Sequence, residues 1–310
     1  MLSRGLAGIV AAVVLITAAT AGQRATVQER LGHPADARLL VIHADDLGMS
    51  RSVNRATFEA FENGWITSAS ILVPCPWFPD VARWARAHPT ADLGVHLALN
   101  SEWTGFRWGP VSGRDGVPSL LDRDGYLPLI EADVVARARP AEIDRELRAQ
   151  IDRARDAGIA LTHLDSHMAT LFRTAEFFEI YRKLGPAYGL PVLTERLGAR
   201  GGEQAGWTNA SQADALIDRV ISISPGVPKE EWGQAYEKML APLPPGVYQL
   251  IVHLGYDDEE MRGATFDHPD WGSAWRQNDL EVVKSARFRE FLREQRFVLV
   301  GWKDLARAKR

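Results

Sequence analysis

The chain has 310 residues, of which 46% are hydrophobic and 25% charged. That balance belongs to ordinary globular proteins and excludes a disordered chain, a collagen-like repeat and a polytopic membrane protein. Lys and Arg number 36 against 40 Asp and Glu, a net charge of −4 with no basic tract, so the sequence carries no electrostatic footprint for nucleic acid.

Residues 1–21 read MLSRGLAGIVAAVVLITAATA. Arg4 supplies a positive start, Leu6 to Ala18 an apolar run of signal-peptide length, and Ala19-Thr20-Ala21 the small-x-small pattern before a cleavage site. The run is short for a bilayer span, which takes about 20 residues. These features predict a signal peptide over 1–21, an N-terminal extension over 22–37, and a protein exported to the periplasm or secreted without stable membrane insertion. Cys75 is the single cysteine, so no internal disulfide is expected. Within Val73-Pro74-Cys75-Pro76-Trp77 it has no zinc or redox spacing and reads as a small buried filler.

Leu39-Leu40-Val41-Ile42 is a run of the buried parallel-strand type. A helix follows over 51–63, with Val53, Ala56, Ala60 and Phe61 on one stripe and Asn63-Gly64 as its stop. Ser68 to Val73 predicts a second strand, Asp80 to Ala87 a short helix, and Asp92 to Leu99 a third strand. Ile143, Leu147, Ile151 and Ala154 recur at helical spacing, an amphipathic stripe that Gly158 ends. Ile159 to Leu164 is another strand, followed by a helix over about 175–184 and a short strand from Pro191 to Thr194. A helix is predicted over 210–221, with Ser211 near its cap. Tyr248 to Leu254 as strand, Asp279 to Gln295 as helix and Phe297 to Gly301 as strand complete the pattern.

Alternation repeated this often means a parallel sheet or a (β/α) barrel, here one α/β domain over 38–310. The Gly-, Pro- and Asp-rich segment 104–128 and the glycine-rich 198–206 read as long loops over an active face, because the strand pattern resumes after each.

Four apolar runs end in ionisable residues: His43-Ala44-Asp45-Asp46, Val95-His96-Leu97, His163-Leu164-Asp165-Ser166-His167 and Val252-His253-Leu254-Gly255. In parallel α/β proteins the carboxyl ends of strands converge on one face, where sites are built. Ionisable groups there are costly unless paired or bound to a cation. A single such residue reads as a satisfied core group; four strands ending alike do not read as packing. Of the adjacent Asp45 and Asp46, one can ligate a cation while the other takes a proton. His163, Asp165 and His167 are two apart, so an extended chain points all three the same way, a candidate metal stripe. Trp103 and Trp108 follow His96, with flat faces that suit a sugar ring, whereas His33, His88 and His268 fall in predicted loops and read as solvent-exposed.

His43-Ala44-Asp45-Asp46-Leu47-Gly48, Val53-Asn54 and Gly64-Trp65-Ile66-Thr67-Ser68 resemble the opening of the YdjC-like (ChbG/HpnK-type) carbohydrate deacetylases. Gly94-Val95-His96-Leu97, the segment from Val117 to Gly125, and His163-Leu164-Asp165-Ser166-His167 resemble the same family in the same order. The resemblance implies a distorted (β/α) barrel of the glycoside hydrolase/deacetylase type and removal of acetyl groups from N-acetylated sugars or glycoconjugates. It also implies one divalent metal ion held by Asp46, His96 and His167, with His163 the alternative to His167, Asp45 as base and His253 on the acid side. Two imidazoles among the ligands favour zinc, with magnesium the second choice. The resemblance is compatible with a homodimer. It is incomplete at two places: Ala169 and Leu171 stand where the family continues with histidines, and Leu254-Gly255 where it has Pro-Gly. Two other readings of the same residues are a sugar-binding protein without catalysis and a metal-free glycoside hydrolase using Asp45 and Asp165.

Overall fold

The computed structural model describes residues 25–196 and 215–308. The expected signal peptide and Ser211 lie outside the described residues. Among them are seven strands: β1 (Arg38–Leu47), β2 (Ser68–Ile71), β3 (Leu93–Leu97), β4 (Leu161–Ser166), β5 (Arg219–Ile221), β6 (Gly246–Val252) and β7 (Phe297–Leu299). All pair in parallel, in the order β4-β3-β2-β1-β6-β5, with β7 beside the first residues of β1. Between β4 and β5 the sheet is completed by single bridges, Leu164 to Val192 and Glu195 to Ile217, so it curls into one distorted barrel.

The helices are α1 (Val27–Arg30), α2 (Arg51–Glu62), α3 (Phe78–Ala87), α4 (Glu131–Arg137), α5 (Pro140–Asp156), α6 (Ala175–Tyr188), α7 (Trp232–Leu240), α8 (Glu259–Ala264), α9 (Ser273–Lys284), α10 (Ala286–Glu294) and α11 (Trp302–Ala308). None of the described helices is long and apolar enough to cross a membrane.

The two-residue period of the strands sorts the core into two parts. Leu40, Ile42 and Ala44 of β1 face outward and pack with the α2 stripe of Val53, Ala56 and Ala60. Leu39 and Val41 face inward and meet Val247, Ile217 and the Trp302 and Leu305 side chains of α11, which plug the bottom of the barrel. Higher on the same inward row stand His43 and Asp45, both buried. The interior therefore changes from apolar at the bottom to ionisable at the carboxyl ends of the strands. Cys75 lies in the outer core, as a filler should.

Three expected elements differ. The described part of the predicted 210–221 helix is extended: Ile217 bridges Glu195 and the following residues pair with β6, because an open sheet position captures them. The predicted 191–194 strand is reduced to the bridge at Val192. The predicted 279–295 helix is two, broken at Ser285 (ψ 139°), whose hydroxyl accepts the Phe288 N–H at 3.1 Å and starts α10.

Candidate metal centre

The ends of β1, β3, β4 and β6 form the floor of a cavity of about 440 Å³. Asp45 is on the inward row of β1, so strict alternation would send Asp46 outward. The backbone prevents this. The β1–β2 register breaks between Ala44 and Leu47, and Asp46 adopts φ +68°, a left-handed conformation that costs a non-glycine residue energy. Both neighbouring carboxylates thereby reach the cavity. The turn is held by Asn54, which accepts the Gly48 N–H at 2.8 Å and donates to the Trp77 carbonyl at 3.2 Å.

Around Asp46 Oδ1 two imidazole nitrogens converge, His167 Nδ1 at 3.3 Å and His96 Nε2 at 3.5 Å. The ligand atoms of Asp46, His96 and His167 all lie within 4.8 Å of one another, and all three residues are buried. Two ligands of a tetrahedral zinc, bound at about 2.0–2.1 Å, stand about 3.3–3.4 Å apart. The observed spacings match that edge. Asp46 Oδ1 is also buried with no hydrogen-bond partner among the described residues, a costly state that a cation would relieve. The residues therefore fit a divalent ion.

The other nitrogen of each imidazole has a carboxylate partner. His96 Nδ1 lies 2.8 Å from Asp165 Oδ1, and His167 Nε2 lies 2.9 Å from Glu102 Oε2. Asp165 also takes His43 Nε2 at 3.0 Å, and the same nitrogen stands 3.3 Å from Asp45 Oδ1. Asp45 Oδ2 is 3.7 Å from His96 Nε2 and 3.9 Å from His253 Nε2. The His253 ring meets Trp271 edge-on at 5.3 Å, and its backbone N–H donates to Asp279 at 2.8 Å.

Burial pushes the Asp45 carboxyl up to about 6, with Asp165 and Asp46 adding to the rise and His96 and His43 opposing it. Burial would raise Asp46 too, but the Arg276 guanidinium and His167 hold it well below the usual carboxylate range. Burial opposes protonation of His96 and His167, yet Asp165 and Asp45 hold His96 up at about 8, and Glu102 and Asp46 hold His167 at about 10. Burial drives His253 down to about 3, so its imidazole is neutral near pH 7.

The stripe of three on β4 divides. His163 and Asp165 face the interior from the strand, whereas His167 opens the 3-10 turn His167–Phe172. His163 sits deeper, stacked on Trp302 at 4.8 Å, and belongs to a different group of possible ligands, with His43 and Asp165. Asp165 is bound by two imidazoles and does not line the cavity, so it makes no glycosidase pair with Asp45. Trp103 and Trp108 do not offer open faces either. Each is 2% exposed, and Trp108 donates to the Asn100 carbonyl at 3.0 Å. His88 is half-buried on Trp84, and exposed His268 lines the cavity mouth.

Sequence reasoning missed Arg276, Glu102 and Trp271. Arg276 is 1% exposed and donates to Asp46 Oδ2 at 2.7 Å and to the Trp271 carbonyl at 3.0 Å. Trp271, in a left-handed turn (φ +72°), is with Phe172 a half-buried aromatic of the cavity wall. Glu102 lies in irregular chain after β3, where no periodicity marks it; its closeness to His96 in sequence was the available signal.

The family model for YdjC-like protein matches residues 39–294. A carbohydrate deacetylase of Thermus thermophilus is 32% identical over 284 residues, covering 90% of this chain and 98% of the relative. One of Brevibacillus brevis is 30% identical over 275 residues, covering 86% and 99%. A solved structure from Enterococcus faecalis superposes with a TM-score of 0.74 at 23% identity, over 87% of this chain and 99% of that one, which shows a shared fold. With the family match spanning nearly the whole barrel, and two relatives aligned from end to end, the chain belongs to the YdjC-like family.

Proposed function

We propose that the chain is a metal-dependent amide hydrolase that removes acetyl groups from N-acetylated sugars. Asp46, His96 and His167 would hold one divalent ion, with zinc favoured over magnesium because two of three ligands are nitrogens. The observation that carries this reading is the convergence of His96 Nε2 and His167 Nδ1 on the unpartnered Asp46 Oδ1 at the floor of an open cavity. The carbohydrate deacetylase relatives supply the substrate class. His167, not His163, is the third ligand in this reading, since His163 stands with the deeper group.

The chemistry that an ion held by Asp46, His96 and His167 would supply is a lowered water pKa and Lewis-acid polarisation of an acyl oxygen. Asp45 is the base: its carboxylate lines the cavity beside the Asp46, His96 and His167 group, its own possible ligand group with His96 needs Asp165, which does not line the cavity, and burial raises its affinity for a proton. His253, neutral near pH 7, relays to the departing sugar nitrogen the proton that Asp45 has taken from the water. Its Nε2 is 3.9 Å from Asp45 Oδ2, so the group that receives the proton and the group that delivers it are neighbours. His43 and Asp165 keep Asp45 and His96 oriented from below.

Purified protein should carry close to one zinc per chain and release acetate from members of a panel of N-acetyl sugars. A chain without stoichiometric divalent metal and without acetate release would favour the sugar-binding protein instead. Export is part of the proposal: protein recovered from the periplasm or medium should begin at Gly22, and a retained Met1 would contradict it.

A further inference from the structure

We propose that Glu102 is a positioning residue that fixes the ring and tautomer of His167 and thereby sets the metal affinity of the cluster. The inference rests on the metal-centre reading above.

A neutral imidazole has one N–H and one free lone pair, and only the lone pair binds a cation. Glu102 Oε2 lies 2.9 Å from His167 Nε2. A carboxylate accepts hydrogen bonds, so in the neutral ring, the form that ligates, this contact keeps the proton on Nε2 and leaves the Nδ1 lone pair toward Asp46 Oδ1, 3.3 Å away. His96 is arranged in the mirror sense: Asp165 takes Nδ1 and leaves Nε2 facing Asp46. One ring thus points inward through Nε2 and the other through Nδ1, each selected by its own carboxylate.

The two rings differ in how much else holds them. His96 is within β3 and is fixed by the sheet. His167 begins the turn after β4, and the next two residues, Met168 (φ +49°) and Ala169 (φ +55°), are left-handed without being glycine. A ring on that turn has more freedom than one on a strand, so its side-chain partner carries more of the orientation. Among the described residues, the single polar contact of the Glu102 carboxylate is the one to His167 Nε2, so no second partner draws it away. It is placed there by the irregular chain that follows β3.

Removing a carboxylate that orients a ligand histidine lowers metal affinity by about 10–100-fold. The test is zinc titration of the full chain, stripped of metal, against a competing chelator, for wild type, Glu102→Ala and Glu102→Gln, with ¹⁵N-detected histidine spectra of the metal-free proteins recorded above about pH 10, where the His167 ring is neutral and has a tautomer to report. Glu102→Ala should lose about 10–100-fold in affinity and show His167 in mixed tautomers. Glu102→Gln, which keeps an acceptor oxygen but no charge, should restore most of the affinity and a single Nε2–H form. If the alanine variant binds as wild type does, the inference fails and the metal-centre reading survives. If glutamine loses as much as alanine, Glu102 acts only through its charge and positioning is refuted. A wild-type chain that takes up no zinc overturns the metal-centre reading, and this inference with it.

Discussion

Arg276 donates from Nη2 to Asp46 Oδ2 at 2.7 Å, joining α9 to the end of β1 beneath the cavity. Asp46 thus has one oxygen tied to a permanent cation and the other turned to two imidazoles. Both partners are nearly inaccessible to solvent, and removing one member of a buried pair leaves the other as an uncompensated charge, at about 3–5 kcal/mol. Arg276→Met should lose stability of that order in urea unfolding. Added zinc should return part of it, because a cation replaces the missing positive partner. A loss under about 1 kcal/mol would show that the pair is not needed to keep Asp46 in place.

Asp45→Asn should separate chemistry from metal binding. The carboxylate lines the cavity beside Asp46, His96 and His167, and although it also forms a possible ligand group with His96 and Asp165, Asp165 does not line the cavity. The variant should bind zinc as wild type does and lose about 10²–10⁴-fold in kcat, the usual contribution of a placed acid or base. Near-normal turnover would remove Asp45 from the base role.

Gly94 lies against the face of His163: a Cβ there would stand 2.4 Å from the ring. The ring cannot retreat, since Trp302 stacks on it with an interplanar angle of 12°. Gly94→Ala should therefore destabilise the fold by about 1–3 kcal/mol, the cost of overpacking. It should also weaken zinc binding, because His96 is two residues further along the same strand. An unchanged urea midpoint would mean that the ring has space the packing does not indicate.

The carboxylates that hold His96 at about 8 and His167 at about 10 also fix the sign of a pH effect. Protonated imidazoles must lose their protons before they ligate, so zinc affinity should rise with pH up to about 8 and less steeply from there to about 10, with proton release on binding. Calorimetry in two buffers of different ionisation enthalpy reads that release directly. Binding heats that are equal in both buffers would contradict it.

Much of this site was legible because strand ends are a strong signal: His43, Asp45, His96, Asp165 and His253 follow apolar runs on β1, β3, β4 and β6, and alternation places them inward. Asp46 was legible as chemistry but not as geometry. It reaches the cavity through a left-handed residue and a break in register, neither of which periodicity encodes. Arg276 was hidden because a single arginine on α9 looks like any polar helix position until the fold brings it to Asp46, 230 residues away. The segment around β5 misled for a related reason: Ile217 and Ile221 have helical spacing, yet the free edge of β6 pairs with the chain and tertiary structure overrides the local pattern.

Acetate release from a panel of N-acetyl sugars by chelator-treated protein, before and after zinc is restored, tests the central claim most directly. The account predicts negligible release by the stripped protein and recovery as zinc approaches one equivalent per chain. Release that continues undiminished in the stripped protein would contradict it.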